Sequence, residues 1–341
     1  MKKTQRISFS NAVIGATLIA LALAGMAKAE TVLNGAGASF PYPIYSKWFS
    51  EYRSVNPNVQ VNYQSIGSGG GIKQITARTV DFGATDGPMT AKQLFAADGK
   101  LLHLPMVLGG VVAVFNLPGV TELKLTGEVI ADIFLGKITA WNDPAIKAIN
   151  PGVNLPSTSI TVVHRSDGSG TTFCFTDFLS KISKAWKGKV GNATAVNWPA
   201  GLGAKGNEGV TGLVKQTVGS IGYTELTYAT QNSLTFAAVQ NKAGNFVKAD
   251  VDSVSTAAAG VEMPRDFRVS ITNAPGQNSY PISTFTWILV YENNSGGKGK
   301  ILRDVLKWAL TDGQPMAREL GYSPLPDSVK SRVLKAVEKI G

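Results

Sequence analysis

The sequence predicts an α/β protein in which strands alternate with helices around largely parallel sheets. Three observations carry this reading. β-Branched or alternating runs recur along the chain, each passes into a loop rich in Gly, Ser or Thr, and each loop opens onto apolar residues at helical spacing. The first unit runs from Thr31 to Phe40 and continues with Ile44, Tyr45, Trp48, Phe49 and Tyr52. Ser39 is placed to cap that helix, with proline tolerated in its first turn. The second unit alternates over Val59 to Tyr63, then passes through Ser68-Gly69-Gly70-Gly71 to Ile72 and Ile75. The third runs from Ile160-Thr161-Val162-Val163 through His164 to Thr171, and on to Phe175, Phe178, Leu179 and Ile182.

Other elements follow the same logic. Val80 to Gly87 reads as a short strand ending in an acid, Asp86, at a loop. Leu101 to Asn116 is a long apolar stretch interrupted by Pro105 and Gly109-Gly110, with Val111 to Phe115 as its strand-like half. Glu128 to Leu135 is helical, Asp143-Pro144 caps a short helix, and Asn207 to Val218 gives a helix before the strand Ile221 to Tyr223. Ile282 to Tyr291 is a strong strand. Leu302 to Ala309 and Ser328 to Ile340 are amphipathic helices.

Composition narrows the function. Residues 1–29 read as a cleavable signal peptide: Lys2, Lys3 and Arg6 precede an apolar run, and Ala27-Lys28-Ala29 forms a small-residue cleavage site. The apolar run is too short to span a bilayer, so no membrane insertion is expected. Setting this leader aside leaves 312 of the 341 residues, enough for two domains. The leader holds four basic residues and no acids, so the formal charge of +10 falls to +6. That excess favours anionic ligands, but without basic clusters interleaved with aromatics it does not indicate nucleic acid. With two His and one Cys in the whole chain, neither a metal site nor a cofactor is expected. Cys174 is expected to be a buried, inert thiol.

The loops look like an oxyanion cradle. A helix start offers unpaired N–H groups and a partial positive charge. Ser169 and Thr171 add hydroxyls, and Arg165 adds a planar fork of donors that Asp167 is placed to hold. An ordinary capped helix fits the last loop alone equally well. No Walker-type loop and no Gly-x-Ser-x-Gly elbow accompanies these loops. His164 alternates with Arg165 on a strand, so it faces away from the cradle. A catalytic nucleophile with its base is not evident.

Four ordered motifs give these loops a family resemblance. Gly35-Ala36-Gly37-Ala38-Ser39-Phe40-Pro41, Ile66-Gly67-Ser68, Val80 to Asp86, and Arg165 to Thr171 resemble the PstS family of periplasmic phosphate-binding proteins. Gly201 to Asn207, Gly219 to Tyr223 and Ser323 to Pro326 are also similar, so the resemblance covers essentially the whole chain after the leader. It implies a two-lobed periplasmic binding protein type II fold with two interdomain crossings and a ligand cleft. Lobe 1 would be residues 30–113 plus 284–341, and lobe 2 residues 114–283. It also implies a periplasmic monomer, not an enzyme, that delivers inorganic phosphate to the permease subunits of an ABC importer. Ser39, Phe40 through its backbone N–H, Ser68 and Asp86 would bind phosphate from one side. Arg165, Ser169, Gly170 and Thr171 would close from the other, with Asp167 supporting Arg165. Family members often carry Thr at position 39, and some carry Ser at position 69.

The chemistry of Asp86 fits that implication. Inorganic phosphate keeps a proton near neutral pH and sulfate keeps none, so an ionised Asp86 can accept from phosphate but faces only repulsion from sulfate. Its alternative reading is a turn-capping Asp before Gly87-Pro88. Two rival functions stand beside phosphate capture: a secreted phosphatase, distinguished by ester turnover, and a receptor for another tetrahedral oxyanion, distinguished at Asp86.

Overall fold

The computed structural model describes residues 30–294 and 297–341; the signal peptide read from residues 1–29 lies outside them. The first half contains β1 (Thr31–Gly37), α1 (Tyr42–Val55), β2 (Val59–Ser65), α2 (Ser68–Thr76), β3 (Phe82–Thr85), α3 (Ala91–Phe95) and β4 (Leu101–Phe115). Next come β5 (Lys124–Leu125), α4 (Gly127–Phe134), α5 (Pro144–Ile149), β6 (Thr161–Arg165), α6 (Gly170–Ile182) and α7 (Lys184–Lys189). They are followed by β7 (Leu202–Ala204), α8 (Gly206–Gln216), β8 (Ser220–Glu225), α9 (Leu226–Gln231), β9 (Thr235–Phe236), β10 (Ala238–Gln240) and β11 (Phe246–Val247). The chain closes with α10 (Val251–Ala259), β12 (Ser283–Tyr291), α11 (Gly299–Leu310), α12 (Pro315–Glu319) and α13 (Asp327–Val337).

The strands of the main sheet run in the order β2-β1-β3-β12-β4-β8-β6-β7, with β9 also on β4. β1, β2 and β3 are parallel to one another, as are β6, β7 and β8. β12 and β4 are antiparallel to their neighbours, so the sheet is mixed rather than largely parallel. The reason lies in β4. Its first part pairs with β12 and its last five residues pair with β8, so one buried strand joins the two parallel sets.

Pro105 and Gly109-Gly110 do not break this strand. The register with β12 shifts between Thr286 and Trp287, where the chain passes from Val107 to Pro105. A bulge at Met106 absorbs a proline that cannot donate to the ladder. Around the sheet lies a core that includes Trp48, Trp141, Trp186 and Trp287, all essentially buried. Helix α1 contributes Ile44, Tyr45, Trp48, Phe49 and Tyr52 to it, the face its spacing predicts.

The carboxyl ends of β1, β2, β3 and β6 carry the short loops that the sequence marks, where an α/β sheet offers helix starts to a ligand. Close backbone packing holds them in place. A Cβ on Gly71 would stand 2.5 Å from Gly37 Cα and 2.7 Å from the carbonyl oxygens of Ala36 and Ala84. Helix α2 therefore rests directly on the ends of β1 and β3. We expect Gly71→Ala to lower the melting temperature and weaken ligand binding. Gly212→Ala, in the middle of α8 with open space around its Cβ, should instead stabilise by about 0.5–1 kcal/mol. Parallel thermal denaturation of the two variants checks the contrast.

Candidate functional site

Two sets of loops meet. From β1 comes Ser39, which is buried. It does not cap α1: that helix has Pro41 at its N-cap position with no side-chain cap bond. The Ser39 hydroxyl oxygen instead accepts from Asn207 N (3.2 Å) and Asn207 Nδ2 (3.0 Å), on the far side of the interface. Phe40 follows, its ring buried. Its carbonyl accepts from Tyr322 (2.7 Å), and its backbone N–H has no partner among the described residues.

Ser68 begins α2 after Gly67, whose φ of 82° suits glycine. Its hydroxyl oxygen accepts from Asp86 N (3.2 Å) and Gly170 N (3.0 Å) and lies 3.5 Å from Asp86 Oδ2. Asp86 itself follows β3 and is 1 % exposed. Its side chain does not cap the Gly87-Pro88 turn; the Thr85 hydroxyl, bonded to Gly87, serves there. The Asp86 carboxyl accepts from the Thr286 hydroxyl at 2.8 Å. Burial pushes it up to about 7, and the Thr286 bond, the Arg165 charge and the Ser68 hydroxyl oppose that rise without cancelling it.

On the other side, β6 delivers Arg165, 3 % exposed. Nε and Nη2 donate to the two carboxylate oxygens of Asp167 at 2.7 and 2.6 Å, a bidentate pair that leaves Nη1 directed at Thr171 Oγ1, 3.5 Å away. Burial alone would raise the Asp167 carboxyl. The Arg165 bonds and charge, with the Gly206 N–H, outweigh it and hold the group below the ordinary carboxylate value. Ser169 caps α6 by accepting from Thr172 N at 3.0 Å. Gly170 and Thr171 form the first turn, and the Thr171 backbone N–H has no partner among the described residues.

Ser39, Phe40, Ser68, Asp86, Arg165, Asp167, Ser169, Gly170 and Thr171 thus come together from segments far apart in the chain. Gly69 N donates to Gly168 O at 2.9 Å across the interface. A Cβ on Gly69 would lie 3.1 Å from Gly168 Cα, so a side chain at this position would press on that contact. His164 lies outside the group, stacked on Trp198 with ring centroids 4.8 Å apart. His103 is buried elsewhere, accepts from Met89 N and is lowered to about 3 chiefly by burial. Neither imidazole bonds a site hydroxyl. Among the described residues no cluster of His, Cys, Asp and Glu could hold a metal ion. Cys174 is free and buried, and burial raises its thiol well above the usual value.

Three participants were not among the expected site residues, although Asn207 lies in one of the stretches that resemble the family. Asn207 spans the interface, Thr286 holds Asp86, and the Tyr228 hydroxyl donates to Ser39 O at 2.6 Å. Asn207 had a signal, because it follows a glycine at a helix start. Thr286 and Tyr228 had none.

The fold defines a class, the two-lobed periplasmic binding protein fold. Residues 24–312 match the model of the PBP superfamily domain. A solved high affinity periplasmic phosphate-binding protein, PfluDING, bound with phosphate, shares the fold with a TM-score of 0.74 at 23% identity, over 89% of this chain and 93% of that one. Sequence relatives are more specific. The phosphate-binding protein PstS of Pasteurella multocida is 50% identical over 90% of this chain and 89% of its own length. That of Xylella fastidiosa (strain Temecula1) is 48% identical over 88% and 83%. The chain belongs to the PstS family of phosphate-binding proteins.

A second buried carboxyl, Glu225, ends β8 and is raised to about 8, first by burial, against opposing bonds from Thr227 and Tyr322. Both Asp86 and Glu225 therefore keep protons in the folded protein that the unfolded chain releases nearer pH 4. Because the folded state binds more protons across that window, stability falls as pH rises through it. Melting temperatures of phosphate-free protein should fall between pH 5 and pH 8, and Glu225→Gln should flatten that slope. An unchanged slope in the variant would contradict the assignment.

Proposed function

We propose that this chain captures inorganic phosphate between its lobes and delivers it to the permease subunits of an ABC importer, working as a periplasmic monomer once its leader is removed. Lobe 1 is then residues 30–113 with 284–341 and lobe 2 residues 114–283, joined where β4 passes from β12 to β8. Segment 251–283 lies along the border: Tyr280 bonds Val111 O, while Lys181 bonds Thr272. The observation that carries the reading is that one interface, lined by hydroxyl and N–H donors, buries both Arg165 and Asp86, the arginine's charge acting on the carboxyl without a direct bond between them.

Each residue has a role there. Arg165, held by Asp167, presents its Nη1 edge to a phosphate oxygen. The Phe40 and Thr171 N–H groups and the hydroxyls of Ser39 and Thr171 supply preorganised donors that need little reordering on binding, while the Ser68 hydroxyl turns its hydrogen from Asp86 to the ligand. Ser169 and Gly170 shape the helix start that faces the anion. Asp86, in its ionised form, accepts the proton that phosphate carries. For sulfate the same carboxyl meets an unprotonated oxygen, and an unmatched buried group costs about 1–3 kcal/mol, more when charged. The reading is of a binder rather than an enzyme, supported by hydroxyls that have no imidazole partner. It needs no cofactor.

Calorimetric titration of phosphate-stripped protein tests this. Phosphate should bind tightly and sulfate should give no heat. Arg165→Ala should abolish phosphate binding at micromolar protein, and Asp86→Asn should narrow the phosphate–sulfate gap by at least about tenfold. Turnover of a phosphate ester, or tighter binding of sulfate than phosphate, would overturn the proposal.

A further inference from the structure

Asn207 is fully buried at the start of α8 and touches both halves of the interface. Its Oδ1 accepts from Thr224 Oγ1 at 3.2 Å and from Glu225 N at 3.3 Å. Those two donors, one of them a backbone N–H that cannot reverse its role, fix which way the amide points. Nδ2 must then face the interface. There it donates to Ser39 Oγ at 3.0 Å and to Thr171 Oγ1 at 3.2 Å, one hydroxyl from each set of loops. Asn207 N donates to Ser39 Oγ as well, at 3.2 Å.

The consequence concerns hydrogen direction. A hydroxyl has one hydrogen to donate and two lone pairs to accept with. Ser39 Oγ already accepts two bonds from Asn207. Thr171 Oγ1 accepts from Asn207 and faces Arg165 Nη1. Neither hydroxyl has a further acceptor bonded to it among the described residues, so each keeps its own hydrogen for an incoming anion. We propose that Asn207 is a positioning residue that polarises Ser39 and Thr171 together, turning two ambivalent hydroxyls into obligate donors toward an anionic ligand. This rests on the phosphate-capture reading. It adds that the donor character of the site is set from behind by one amide, whose orientation is locked by the end of β8.

The test is phosphate titration of Asn207→Ala and Asn207→Asp, each alone and combined with Ser39→Ala. Asn207→Asp keeps the size of the side chain and its acceptor side toward Thr224 and Glu225, so it serves if Asn207→Ala folds poorly. Each single variant at Asn207 should weaken phosphate binding by about tenfold or more, as loss of a buried donor implies. In the Ser39→Ala background the same change should weaken it by at least about threefold less, because residues of one hydrogen-bond network couple. Equal losses in both backgrounds would overturn the proposal and leave Asn207 a structural residue. No phosphate binding by the unaltered protein would instead defeat the underlying functional reading, an outcome visible before any variant is compared.

Discussion

A carboxyl group buried inside the proposed anion site is the constraint on which this molecule turns. Asp86 is enclosed by neighbours that mostly favour its charge, yet burial still holds it near neutrality. Placed beside donors only, it would weaken the site for every anion. Placed where the ligand brings a proton, it becomes the single acceptor among many donors. The Arg165–Asp167 pair balances it from the opposite side. Breaking one partner of such a buried pair leaves an uncompensated charge, which costs far more than the pair contributes. Asp167 therefore reads as the support that lets an arginine stay buried with one edge turned to the ligand.

The fold supplies the rigidity this arrangement needs. β4 runs through the centre and is paired on both sides, so the loops after β1, β2 and β3 and the loop after β6 are referenced to a common strand. Glycines set the distances between them. Gly71 lets α2 rest on the strand ends, and Gly69 meets Gly168 backbone to backbone. Tyr322 and Tyr228 reach the same loop from elsewhere and fix the carbonyls of Phe40 and Ser39. Oriented groups of this kind act on a ligand without reorganising first, which is where tight binding of a small ion originates.

Much of this was legible in the sequence because loop chemistry is local. Ser68, Arg165 to Thr171 and Asp86 each stand at a strand-to-helix transition whose pattern can be read within about ten residues. Their convergence was suggested by family resemblance rather than by periodicity. Other features depend on contacts between distant segments and leave no local trace. The bond from Thr286 to Asp86 spans 200 positions, and that from Asn207 to Ser39 spans 168. Ser39 illustrates the limit: its neighbours resemble a helix cap, but tertiary partners claim its oxygen. The mixed sheet was hidden for a related reason. An apolar run shows that a strand is buried on both faces, not which way its neighbours run, and Pro105 looks like a break until a bulge accommodates it.

The most direct measurement is a crystal structure of the leader-free protein grown with phosphate at neutral pH, at a resolution that places the ion's oxygens. The account predicts one phosphate within hydrogen-bond distance of Ser39, Ser68, Arg165 and Thr171, with one of its oxygens close to the Asp86 carboxyl. A phosphate bound elsewhere, or one held in this interface with Asp86 turned away from it, would contradict the central claim.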